Sequence, residues 1–149
     1  MLNAAMERVR FERVERLERS VLEAIGRLRV EAWKERLGPE SVEAGQWLDA
    51  EDHAAVHFVA WDGERLIGAA RLQVMTRLEG PWAVVGSAEP GPFGLLSRRV
   101  VLPTYQGAGI GQSLMRERLA FASSVGVRRC LSTFEQQGRT GPSRGLPRH

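Results

Sequence analysis

Val100-Val101-Leu102-Pro103-Thr104-Tyr105-Gln106-Gly107-Ala108-Gly109-Ile110-Gly111 is the stretch on which the reading of this chain turns. Residues 95–102, which run into it, are β-like, and Pro103 stops them. After it, Ile110, Leu114, Met115, Leu119 and Ala122 recur at helical spacing to about Ser124. Strand, glycine turn and helix start therefore follow one another. That order aims backbone N–H groups at a point where an anion can sit, and the helix macrodipole favours negative charge there. Glycines at 107, 109 and 111 keep side chains out of the ligand's path. The plain alternative is a flexible connection with no ligand.

Spacing decides among phosphate loops. No lysine follows these glycines, which excludes a Walker loop, and residue 112 is Gln where a dinucleotide fingerprint from Gly107 needs a third glycine. What remains is Q-x-x-G-x-G behind V-x-P-x-Y, carried by Val101, Pro103, Tyr105, Gln106, Gly109 and Gly111.

Working outward, Val9 and Phe11 suggest a first strand. Apolar residues Leu17, Val21, Leu22, Ile25, Leu28, Ala32 and Trp33 predict a helix over 16–37, closed by Gly38-Pro39. A second helix is expected within 39–48, then an acidic loop over 49–52. Asp62-Gly63 marks a hairpin between a strand around Val56, Phe58 and Ala60 and a strand over 65–75. Residues 76–93 read as loop with a short strand at 82–85, and 127–134 as the last strand. The fold class is α/β (α+β): a mixed, mostly antiparallel sheet flanked by helices, with one β-α-β crossover around the glycine turn. One domain is expected over 1–134, with a Gly, Pro, Arg and Ser-rich disordered tail over 135–149.

Composition narrows the function classes. Hydrophobic residues are 43% of 149 and charged residues 26%, which suits a single globular domain. The chain has no apolar run long enough for a membrane span and no signal-peptide pattern in its first ten residues, so a cytoplasmic protein is expected. The only cysteine is Cys130, and His53, His57 and His149 lack ligand spacing, so no disulfide and no metal are expected. Net charge is +3, with Lys34 the only lysine, which suits an anionic cofactor. The arginines are dispersed and not interleaved with aromatics, which argues against nucleic acid.

The motif residues resemble the pyrophosphate-binding motif of the GNAT superfamily of N-acetyltransferases, and the hairpin centred on D-G-E-R-L-I-G-A-A-R-L resembles that family's second and third strands. The resemblance covers about 9–134. It implies acetyl-CoA, or another acyl-CoA, as co-substrate and a small-molecule amine as acceptor. It places the ligand between the strands at 97–102 and 127–134, which would splay apart. Backbone groups of Val100 and Val101 would hold the pantetheine, and N–H groups from Gly107 through Ala108, Gly109, Ile110 and Gly111 to Gln112 the pyrophosphate. Arg99 and Gln106 complete the expected cofactor contacts. A backbone N–H near Val101 would polarise the thioester carbonyl.

The family continues with a further helix and two strands. Residues 135–149 suit neither, so the fold is expected to be C-terminally shortened: completed by a partner subunit, truncated or frameshifted, or degenerate. The rival function is a non-catalytic CoA-binding module. Candidate catalytic groups are Glu51, His57 and Tyr105, with bland readings as a solvated loop residue, a packed strand residue and a packing group beside the turn. Asp49, Glu51 and Asp52 would draw a cationic amine or simply form a solvated loop. Cys130 reads as core rather than nucleophile, and the four tryptophans as core. An exposed final strand would invite pairing as a homodimer.

A second resemblance runs through Arg29-Val30-Glu31-Ala32-Trp33, Asp49, Asp52 and Leu96-Ser97-Arg98, which are similar to elements of the acyl-homoserine-lactone synthases. Those enzymes carry a Glu where this chain has Leu95, and they lack a good Q-x-x-G-x-G. That similarity implies that the helix ending at Leu37 lines an acceptor pocket.

Overall fold

The structure is a computed structural model that describes residues 4–77, 91–136 and 139–142, with side-chain burial for 6–77 and 91–132. A short helix α1 (Ala4–Glu7) leads into β1 (Val9–Val14). Helix α2 (Arg19–Trp33) starts later than its periodicity suggests, because Glu18 is extended at its N-cap. Past Trp33 the chain tightens, with the amides of Arg36 and Leu37 both donating to the Trp33 carbonyl. Helix α3 (Pro39–Ala44) opens on Pro39, which needs no N–H there, and stops at Gly45, short of the expected 48. The acidic segment forms a 3-10 turn, Ala50–His53, capped by Asp49.

The hairpin follows as β2 (Val56–Asp62) and β3 (Arg65–Met75). The strand expected at 82–85 lies outside the described residues. Then come β4 (Phe93–Val101), α4 (Ile110–Ser124), β5 (Arg129–Gln136) and β6 (Arg139–Pro142). The sheet order is β1-β2-β3-β4-β5-β6. All neighbours are antiparallel except β4 and β5, which run parallel across the α4 crossover. Strand β6 falls within 135–149, where a loose tail was expected. It pairs with β5 from Gln136↔Arg139 to Thr133↔Pro142, using the open backbone edge that β5 would otherwise present.

Cross-strand partners share a face of the sheet. His57, Arg71 and Ser97 lie on one face, and Phe58 and Ala70 on the other. Helix α4 covers the second face, where Phe121 meets Phe58 edge-on at 6.0 Å. Helix α2 covers the first, adding Ile25 and Leu28 to Val59, Ile67 and Ala69 in the core. Each fully buried Leu or Ile contributes about 1.5–3 kcal/mol. The two helical layers therefore fix the sheet, and the sheet fixes where β4 ends and α4 begins.

Candidate functional site

The turn between β4 and α4 is tied at both ends. The Leu102 amide donates to the Ile67 carbonyl at 2.9 Å, and a 3-10 turn over Pro103–Tyr105 follows. Gln106 Nε2 donates to the Val101 carbonyl at 3.1 Å, so this side chain braces the turn. Gly107 and Gly109 take φ of 85° and 88°, the left-handed region that glycine enters freely. Gly109 is the N-cap of α4 and offers no side chain to its N–H groups. The first turn of the helix is thus open to an external acceptor.

A cleft of about 440 Å³ lies over that turn. Arg99, Val100, Val101, Gln106, Gly107, Gly109, Ile110, Gly111 and Gln112 line it, as does Tyr105. Ala108, whose backbone N–H was expected among the contacts, is not among the lining residues, and its side chain packs partly against the core. The opposite wall is Ala32, Trp33 and Arg36 at the end of α2. The glycine motif carried no hint of that wall. The 32, 33, 36 spacing on one helical face was the available signal, and the second resemblance pointed to this helix.

Strands β4 and β5 part beside the cleft. Their ladder runs from Phe93↔Arg129 to Leu96↔Ser132 and ends, although β4 continues to Val101 and β5 to Gln136. The backbone after Leu96 therefore faces the opening on its β5 side. The Arg99 side chain lies along the start of α4, with its Cδ and Nε 3.7 Å from where a Cβ on Gly111 would stand.

A buried ionic network stands on the α2 side. Arg29 donates to both carboxylate oxygens of Asp52, at 2.8 and 3.0 Å. Arg71 Nη1 donates to Asp52 at 3.0 Å and to Asp49 at 2.7 Å, and Arg71 Nε to Ser97 Oγ at 3.0 Å. Arg98 Nη2 reaches Asp49 at 2.9 Å. Burial works against the charge on Asp52, but the Arg29 guanidinium outweighs it and holds the carboxyl well below the usual carboxylate range. Asp49 is lowered in the same way: burial opposes its charge, and Arg98 and Arg71 overcome that. Asp52 is fully buried and Asp49 is half-buried, both engaged by arginines, so these two members of the acidic cluster are not solvated loop residues; Glu51 alone is exposed.

His57 belongs to this network. Its Nε2 donates to the Asp52 carbonyl at 2.7 Å, and burial pushes its pKa down, keeping the ring neutral. It is 1% exposed and does not line the cleft. Glu51 sits exposed on the 3-10 turn, also away from the cleft lining. Tyr105 does line it, with its hydroxyl donating to Asp62 on the hairpin. That bond, and then burial, raises the phenol pKa, while the same bond lowers Asp62. Cys130 is buried beneath Gly94, a packing position. Trp33 meets Trp47 edge-on at 5.3 Å, between the Arg36 and Arg98 guanidiniums.

The sequence matches the model of the Acetyltransferase (GNAT) family over residues 22–140. The chain belongs to this family. Solved structures share the fold. One is a GNAT family acetyltransferase from Brucella melitensis in complex with acetyl-CoA. It is 22% identical, with 86% of this chain and 77% of that one covered and a TM-score of 0.60. Another is an aminoglycoside acetyltransferase from an uncultured soil metagenomic sample in complex with sisomicin, 16% identical, covering 88% and 80%, with a TM-score of 0.59. A third is an aminoglycoside N-acetyltransferase in complex with CoA, 16% identical, covering 87% and 78%, with a TM-score of 0.58. A comparison with curated protein sequences finds no match. Among the described residues, no helix is long and apolar enough to cross a membrane.

Proposed function

We propose that this protein transfers an acetyl group from acetyl-CoA to the primary amine of a small molecule, by direct attack of the amine on the thioester. The observation that carries this reading is the cleft itself. An uncapped helix start with left-handed glycines lies directly beside a strand that has just left its parallel neighbour. N–H groups from Gly107 to Gln112 would hold the pyrophosphate, with the Arg99 guanidinium beside them. Backbone groups of Val100 and Val101 would pair with the pantetheine amides, as a neighbouring strand would. An N–H near Val101 would stabilise the oxyanion as nitrogen bonds to the carbonyl carbon. Collapse breaks the C–S bond, the nitrogen loses a proton and the thiolate gains one.

The α2 wall of Ala32, Trp33 and Arg36 stands where an acceptor would enter. Likeness in fold to aminoglycoside acetyltransferases supports a small amine there. The reading places the protein in the cytoplasm with the acyl-CoA pool.

One observation favours a second reading, a module that binds acyl-CoA without turnover. No carboxylate or imidazole is among the described residues lining the cleft, and its one phenol is engaged by Asp62. Titration with acetyl-CoA and desulfo-CoA tests the shared site, and thiol release with a panel of amines separates the two readings. Binding with amine-dependent thiol release supports the enzyme, and binding without release from any amine supports the module. Absence of binding overturns both.

A further inference from the structure

The β3–β4 ladder slips at one place. Ala69 pairs with Val100 and Arg71 with Ser97, so Arg98 and Arg99 together stand against Ala70. This is a β-bulge, which re-aims the strand beyond it. Arg98 takes a φ of 54°, the one positive value outside glycine among the described residues. An L-residue keeps that conformation only where its surroundings hold it. The bulge has a definite place in the site. Pairing with β5 ends just before it, at Leu96, and Arg99, Val100 and Val101 just after it line the cleft.

Guanidinium groups hold the bulge from both faces of the sheet. On the α2 face, Arg98 is clamped by its own side chain, which donates to Asp49 at 2.9 Å and stacks 4.3 Å over the Trp47 ring. Asp49 is in turn held by Arg71 and by the capping box with Asp52. On the α4 face, Arg118 Nη1 donates to the carbonyls of Arg71 at 3.1 Å and Ser97 at 3.3 Å, the cross-strand pair that borders the slip on one side. Arg118 is 1% exposed, and no carboxylate pairs with it among the described residues. A buried charge with carbonyls as its oxygen partners is expensive. The bulge accounts for its presence.

We propose that Asp49 and Arg118 are positioning residues of the cleft, which from opposite faces keep Arg98 in its bulged conformation and so aim the backbone of residues 99–101 at the bound acyl-CoA. The inference rests on the acyl-CoA reading of the cleft. Neither residue lines the cleft, so neither acts by touching the ligand.

Two readouts test it: acetyl-CoA affinity by titration, and hydrogen exchange of the amides of residues 99–101 in the ligand-free protein. D49A and R118M are each expected to weaken binding and speed this exchange about tenfold, equivalent to about 1.4 kcal/mol. R98G added to D49A is expected to recover most of both losses, since glycine adopts φ near 54° without a clamp. A merely structural contact would lower thermal stability and gain nothing from R98G. If R118M does not fold, R118K and the D49A/R98G pair carry the test. Wild-type affinity and exchange in D49A, or losses that R98G leaves in place, overturn the inference. A wild-type protein that binds no acetyl-CoA removes the cleft's ligand; the exchange pattern then upholds or overturns the bulge clamp by itself.

Discussion

Gly68 on β3 lies directly under Ile110, the first residue of α4: a Cβ at Gly68 would stand 3.2 Å from Ile110 Cγ2 and 3.4 Å from Leu114 Cδ1. The height of the helix start above the sheet is set by this contact. The glycine turn is attached to that helix start, so the depth of the cleft depends on a residue with no side chain. Gly68→Val should lift α4 and cost about 1–3 kcal/mol of stability through overpacking. It should also weaken acetyl-CoA binding in the variant that still folds. Thermal unfolding and titration on one preparation check both. A stability loss with unchanged affinity would separate the helix position from the site.

The glycine turn itself gives a sharper test. Nothing stands within 4 Å of a Cβ at Gly109, so a large side chain there enters open cleft rather than core. Gly109→Trp should abolish acetyl-CoA binding. The left-handed φ of 88° adds about 1–2 kcal/mol of strain for any L-residue. Gly109→Ala should show that strain, with a far smaller loss of affinity. If Gly109→Trp binds acetyl-CoA as the wild type does, the turn does not hold the pyrophosphate.

The turn was legible in the sequence because its signals are local: three glycines, a stopping proline and an apolar helical face within some twenty residues. The bulge was not. Arg98 and Arg99 are consecutive arginines in a strand whose alternation is already obscured by burial on both faces, and nothing in the spacing marks which of them is extra. Arg29 lies in α2 between apolar residues, where its spacing alone names no partner. Its burial depends on Asp52, a contact 23 residues away. The same distance hid the role of Asp52, since an acidic run is ordinarily solvated. Strand β6 escaped because Arg139-Thr140-Gly141-Pro142 carries no apolar alternation and is ordered by the β5 edge.

Tyr105 and Asp62 join the turn to the β2–β3 hairpin through the phenol hydroxyl. The raised phenol pKa keeps the proton on oxygen at neutral pH, which suits a tether better than a proton donor. Tyr105→Phe should therefore leave kcat near wild type while raising KM for acetyl-CoA several-fold, as expected for loss of one positioning hydrogen bond. A large fall in kcat with KM unchanged would instead identify Tyr105 as a general acid.

The buried network should leave two separate marks on stability against pH. Burial holds the folded pKa of His57 below 6.5. As pH falls through 6.5 the unfolded chain takes up a proton that the folded chain does not, so stability falls with pH there. Asp52 and Asp49 are held below 3.8 in the folded state. Their contribution is present above 3.8 and is lost as pH falls from there toward their folded pKa values. His57→Gln keeps a donor for the Asp52 carbonyl and cannot titrate. It should flatten the first phase and leave the acid phase unchanged. Asp52→Asn should cost about 3–5 kcal/mol at neutral pH, because it leaves Arg29 buried without its counter-charge. The difference from wild type should shrink below about pH 4, where the wild-type carboxylate also loses its advantage. Thermal unfolding of the three proteins from neutral to strongly acid pH resolves the phases. A wild-type curve flat through 6.5 would mean that His57 titrates in the folded protein as it does in the unfolded chain.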